Sequence, residues 1–199
     1  MKRNKIFVAI TGGIGSGKSA VSDILRRAGY PVFSADVFSH EIFGEEDVRK
    51  EVAARFPECC YGGIPDRRAL ARAVFADDMK RKALENILHP RIMRRMYEAM
   101  EKAPAPVVFA EVPLLFEGGY ERDFDRVIVV MRDMETRIAS VMSRDGISRD
   151  EVLARINKQF DYTKIVDPAH TVLYNDGDLL SLEKKTEGIV HEIVGKITD

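Results

Sequence analysis

The 199-residue sequence has no tryptophan, only two cysteines and no surplus of charge of either sign. Each shortage excludes something. Cys59 and Cys60 are neighbours, which gives neither a C-x-x-C pair nor a disulfide framework, so a reducing compartment is expected. The 31 basic and 32 acidic residues are too evenly matched for a general electrostatic grip on nucleic acid, so an anionic ligand must be caught at one local site. Long apolar runs are missing as well. The run "IFVAI" after the basic "MKRNK" stops at Thr11-Gly12-Gly13, short of a signal core or a membrane span. The expected location is the cytosol, with no membrane and no nucleic acid as partner.

What is present is enough apolar content, 45%, to bury a substantial core as one large domain or as a core with insertions. "KIFVAIT" (5–11), "YPVFSA" (30–35), "PVVFAEV" (106–112), "RVIVVM" (126–131) and "HTVLYN" (170–175) are short β-branched or aromatic runs bounded by Gly, Pro, Asn or Asp. Several are apolar on both faces, as buried parallel strands are, and amphipathic helical segments separate them. This pattern predicts a three-layer α/β fold around a doubly wound parallel five-stranded sheet. Residues 37–105 are too long for one crossover and read as an inserted helical subdomain. There Leu84, Leu88, Ile92, Met96 and Met100 form an apolar stripe, and Pro90 is expected to kink the helix or divide it, at a cost of about 3 kcal/mol if internal. A second insertion, 144–165, is polar and reads as a mobile cover.

Between the first strand and the first helix stands "GGIGSGKS", Gly12 to Ser19, which fits G-x-x-x-x-G-K-[ST] in the context that motif requires. So many glycines cost backbone entropy on folding, and the return is a bare backbone. The N–H groups of Gly13, Ile14, Gly15, Ser16, Gly17, Lys18, Ser19 and Ala20 can converge on phosphate oxygens, helped by the positive end of the following helix. Lys18 then reaches the β- and γ-phosphate oxygens of ATP, and the Ser19 hydroxyl binds Mg²⁺. A GTPase switch would add N-K-x-D and D-x-x-G. Neither occurs, and the nearest string, "NKQFD", sets Asp161 one residue late. A short chain with two helical insertions fits a small-molecule kinase better than a switch or a motor.

In order, "TGGIGSGKS", "SAD" after the second strand, "HP" in the inserted helices, "PLLFE" after the third strand, "SRDG" after the fourth and N-x-G at Asn175 resemble the dephospho-coenzyme A kinase family over nearly the whole chain. The resemblance implies ATP-dependent phosphorylation of the ribose 3′-hydroxyl of dephospho-CoA, the last step of coenzyme A synthesis, on a fold similar to nucleoside monophosphate kinases. It implies a nucleotide-binding core of 1–36, 106–143 and 166–199, an acceptor-binding insertion of 37–105 and a lid of 144–165. ATP and dephospho-CoA are the implied partners and Mg²⁺ the cofactor. No dimer seam is evident, so a monomer is the default.

Individual residues follow. Asp36 lies after the second strand, where the residues alone allow a ligand-facing acid or the N-cap of a helix from Val37. The resemblance implies that it orients or deprotonates the acceptor hydroxyl. Glu111 ends the third strand, where relatives commonly have Asp, and can hold a water of the Mg²⁺ shell. Arg144 matches the lid arginine on the ATP phosphates, a catalytic role beside Lys18 and Asp36. Arg67, His89, Pro113 and Leu114 fall to the acceptor site, with a helix-shaping role equally open for His89. Glu117 is open between a structural hydrogen bond and a ligand contact, and Asn175 matches the residue that holds the adenine ring. The chain departs from the family at Ser34 and at Ala169-His170. A second lid arginine is also replaced by Ser140, for which Arg137, one turn away on the same face, can substitute.

Overall fold

The computed structural model describes residues 5–164 and 170–198, so Ala169 and the last lid residue, Ile165, lie outside the described residues. In chain order the elements are β1 (Ile6–Thr11), α1 (Lys18–Arg27), β2 (Val32–Ser34), α2 (Ala35–Phe43), α3 (Glu46–Arg55), β3 (Cys60–Tyr61) and β4 (Ile64–Pro65). They continue with α4 (Arg67–Ala76), α5 (Asp78–Lys102), β5 (Val107–Glu111), β6 (Arg126–Met131), α6 (Met134–Asp145), α7 (Arg149–Ile156), β7 (His170–Tyr174) and α8 (Leu179–Thr198). Two compact units result, one taking residues up to Phe33 and from Met100 onward, the other taking Ser34–Ala99.

The first unit holds a five-stranded sheet in the order β2-β5-β1-β6-β7, with β5, β1, β6 and β7 paired in parallel. Every residue of β5 is buried, and in β1 all but Ile6, as expected of strands covered by helices on both faces. Val8, Ile10, Phe109, Ile128 and Val130 on the sheet pack with Ile24 and Leu25 of α1 and with Leu182 and Val190 of α8. Each such side chain contributes about 1.5 to 3 kcal/mol on burial. Strand order reverses beside β1, which lies between β5 and β6 although it comes first in the chain. Ligands of open α/β sheets bind at the carboxyl edge of such a switch point. The glycine loop leaves β1 there, and the register that sets Glu111 beside Ile10 puts the end of β5 next to it.

In the second unit the core is Ile42, Val48, Val52, Phe56, Leu70, Ile87 and Ile92, with Leu84 and Leu88 packed against it. Three of the five residues of the expected stripe, Leu84, Leu88 and Ile92, thus face this core. Pro90 neither ends nor divides α5, which runs unbroken for 25 residues. The buried Ile87 and Ile92 anchor the helix on either side of the proline, and Arg91 donates to the Ile87 carbonyl at 2.6 Å in the same turn. The sequence pattern also misses the two-residue pairs β3 and β4, which form an antiparallel hairpin around Gly62 and Gly63. The second strand is shorter than its apolar run, because α2 already begins at Ala35.

The segment after β6 is less of a cover than its polar surface suggests. Asp133 caps α6 through the Thr136 N–H, and Ser148 and Glu151 form a reciprocal capping box on α7. The undersides of these helices are apolar: Ile138, Val141 and Val152 are buried and pack with Ile14 of the glycine loop. Among the described residues no helix is long and apolar enough to cross a membrane.

Candidate active site

The loop from Gly12 to Gly17 turns the chain from β1 into α1. Gly17, the residue before the helix, has φ 99°, and a Cβ there would stand 2.2 Å from Asn175 Nδ2. Only glycine meets both demands. At Gly13 a Cβ would stand 2.3 Å from an Arg137 guanidinium nitrogen, so a side chain there would displace the arginine from the loop. The Lys18 ammonium donates to the carbonyls of Gly12 at 2.8 Å and Gly13 at 3.1 Å, which seats its charge over the loop.

Ser19, one residue into α1, donates through its hydroxyl to Glu111 Oε1 at 3.2 Å, and Ser22 donates to Oε2 at 2.8 Å. Glu111 is 8% exposed, so both of its oxygens are held in a protected place beside the loop. A hydroxyl and a carboxylate are hard oxygen donors of the kind Mg²⁺ takes, with phosphate and water completing its shell. Residues 19 and 111 therefore fit that ion.

Arg137 reaches the loop from α6, its Nε donating to the Ile14 carbonyl at 2.9 Å. Burial pushes its guanidinium down from the ordinary arginine value, with the Tyr162 hydroxyl as the countering influence, and no carboxylate pairs with it among the described residues. A half-buried cation pressed against a phosphate loop is a ready partner for an anion. Arg144 is engaged elsewhere: it is exposed and paired with Asp145 at 2.7 and 3.1 Å, and Asp145 also takes Arg155 at 3.0 Å. Asn175, expected at an adenine ring, is 8% exposed and donates its amide to the Ser16 carbonyl at 2.9 Å.

Sequence reasoning missed the residues that fasten this side. Gln159 Oε1 accepts the Ile14 N–H at 2.8 Å. Phe160 stacks on Phe116 with centroids 4.8 Å apart, and Tyr162 meets both rings edge-on. The Tyr162 hydroxyl reaches the Pro113 carbonyl at 3.2 Å, and burial pushes its pKa up to about 12. Glu117 Oε1 accepts the Phe160 N–H at 2.9 Å, a structural bond. Leu114, beside it, is half-buried and its carbonyl receives the Gly118 N–H. The aromatic spacing at 160 and 162 was the one available signal, and a lone glutamine gave none.

The remaining predicted residues belong to the second unit. Asp36 is exposed in the first turn of α2, and the cap position is Ser34, so Asp36 is not the N-cap. His40 stands one turn further along the same face, and Arg67 bonds it twice, at 2.8 Å to Nδ1 and 3.1 Å to the carbonyl, while lying 4.5 Å over the Phe43 ring. Asp36, His40 and Arg67 thus share one exposed face. His89, half-buried on α5, sits just before the internal proline.

The dephospho-CoA kinase family profile matches residues 6–181. The chain belongs to the dephospho-CoA kinase family. It is 42% identical over 193 residues to the dephospho-CoA kinase of Thermus thermophilus, covering 97% of this chain and 94% of that protein. A crystal structure of a Thermus thermophilus protein, also 42% identical, superposes with a TM-score of 0.84 over 94% of this chain and 97% of its own. The dephospho-CoA kinase of Campylobacter jejuni, at 26% identity, gives 0.68 over 94% of this chain and 96% of its own. The fold is the parallel α/β fold expected from the strand pattern, and the chain is an enzyme of this kinase family.

Proposed function

We propose that this enzyme transfers the γ-phosphoryl group of ATP to the ribose 3′-hydroxyl of dephospho-CoA, giving coenzyme A and ADP. The observation that carries the reading is the match to relatives of that name along almost the whole chain, over a loop built as triphosphate binding requires. Lys18 and the loop N–H groups hold the β- and γ-phosphates. Ser19, and Glu111 through a water, would hold Mg²⁺, which when bound would neutralise charge on the transferred phosphoryl group. Arg137 adds a second positive charge from α6, with Arg144 free to leave Asp145 for the same phosphates. Asp36 takes the proton of the acceptor hydroxyl as its oxygen bonds to the γ-phosphorus and the bond to the β-phosphate oxygen breaks. Arg67 meets the acceptor's phosphates, His89, Pro113 and Leu114 shape its site, and Asn175 flanks the adenine ring while bracing Ser16. The core, the 37–105 insertion and the 144–165 lid divide these tasks in a cytoplasmic monomer.

The test is ADP release with dephospho-CoA, adenosine, gluconate and shikimate offered separately. Turnover with dephospho-CoA should exceed the others by orders of magnitude, and faster turnover on another acceptor would sink the assignment.

A further inference from the structure

The phosphate loop is fastened from the side of α6, α7 and β7 by side chains far away in sequence. Both ends of residue 14 are held: its N–H donates to Gln159 Oε1 at 2.8 Å, and its carbonyl accepts from Arg137 Nε at 2.9 Å. The Ile14 side chain packs into the apolar cluster of Ile138, Val141 and Val152. Two residues on, Asn175 holds the Ser16 carbonyl at 2.9 Å. Of these polar ties, Gln159 alone accepts a loop N–H, and the other two donate to carbonyls.

A glycine-rich loop has more backbone freedom to lose than any other segment, and freedom lost at the moment of binding weakens affinity. A loop already fixed in shape avoids that loss. We propose that Gln159 is a positioning residue for the phosphate-binding loop: its amide oxygen fixes residue 14 so that the neighbouring N–H groups face the triphosphate before ATP arrives. The inference rests on the phosphate-loop reading above and not on the identity of the acceptor. Its rival is a latch, in which Gln159 occupies an N–H that phosphate needs and must be displaced. The two differ in sign. Removing a positioning residue weakens nucleotide binding, and removing a latch tightens it.

Gln159→Met keeps length and removes the acceptor oxygen. Binding of a non-hydrolysable ATP analogue with Mg²⁺, measured by titration calorimetry without acceptor, should weaken by about threefold to tenfold, the worth of one hydrogen bond. The KM for dephospho-CoA should stay unchanged and the melting temperature should stay within about 4 °C of wild type. Unchanged or tighter analogue binding overturns the proposal, and so does an equal loss in the acceptor's KM, which would mark a general loosening. Lys18→Ala is titrated alongside. If it too binds the analogue like wild type, the phosphate-loop reading falls and this inference with it. If Lys18→Ala is impaired and Gln159→Met is not, only the role of Gln159 is overturned.

Discussion

Glu111 and Asn175 are 8% exposed and tied by hydrogen bonds to the loop or its helix, whereas Asp36, His40 and Arg67 in the helical unit all stand exposed. On the nucleotide side Glu111 and Asn175 each have partners at a fixed distance in a place shielded from water, where electrostatic interactions are strong. On the proposed acceptor side the exposed groups lie in high dielectric, where a contact such as Arg67 to His40 is worth little by itself. On the roles proposed above, the nucleotide half is therefore built before its ligand arrives, and the acceptor half gains strength only when a ligand displaces water from it. Substitutions in the first half should change ATP binding and turnover together. Those in the second should change chemistry or acceptor binding and leave ATP alone.

Lys18→Ala is the largest test of the built half. The ammonium that now bridges the Gly12 and Gly13 carbonyls is the loop's own positive charge, and its loss should lower kcat/KM by about 10³-fold or more, the scale of a removed transition-state donor. Analogue binding should weaken as well. Wild-type turnover in this variant would break the comparison at its root.

Asp36→Asn probes the other half. Asp36 sits inside the first turn of α2, so its charge favours the helix by only about 0.3 to 1 kcal/mol, and the fold should tolerate the change. We expect kcat to fall by about 10²-fold, as for a removed general base, with ATP-analogue affinity near wild type. A parallel loss of ATP binding would show that the two halves are not separable in this way.

Much of this division could be read from the sequence. The loop announces itself because its task, converging backbone N–H groups, demands glycine at fixed spacing, and the strands do so because burial on both faces demands unbroken apolar runs. The fastening did not. Gln159 and Ile14 are 145 residues apart and Asn175 and Ser16 are 159 apart, and one side-chain-to-backbone bond leaves no periodicity to detect. Pro90 was legible only in part: the local rule allows a kink or a division of the helix, and the division does not occur, with Ile87 and Ile92 packed on either side of the proline.

Arg137 and Arg144 sharpen the comparison within one helix. By motif Arg144 is the phosphate-contacting arginine, yet Arg137 is the one seated against Gly13 and Ile14, while Arg144 is exposed beside Asp145. Arg137→Ala should lower kcat/KM for ATP by about tenfold, the worth of a charge-assisted contact, and Arg144→Ala by less. The opposite order in steady-state kinetics would restore the motif's assignment and mean that the segment from α6 to Tyr162 moves on binding.

The smallest effect belongs to the fastening rather than to the chemistry. Tyr162 joins the aromatic stack to the Pro113 carbonyl, the Thr11 hydroxyl and the backbone of Gly12, where the loop begins. Tyr162→Phe keeps the stack and loses the hydroxyl, which should cost about 1 kcal/mol of stability at neutral pH and leave kcat within about twofold. The pH dependence carries the sharper signature. Burial raises the folded hydroxyl from 10.0 to about 12, so the folded state resists ionisation that the unfolded chain accepts. That stability is fully present below pH 10.0 and is lost as pH climbs toward 12, by about 2 to 3 kcal/mol in all. Phenylalanine has no proton to lose. The advantage of wild type over Tyr162→Phe in urea midpoints should therefore hold steady up to pH 10.0, then shrink and reverse before 12. A gap that stays constant across that window would mean that the hydroxyl ionises as freely in the fold as out of it, and would overturn the burial of its proton.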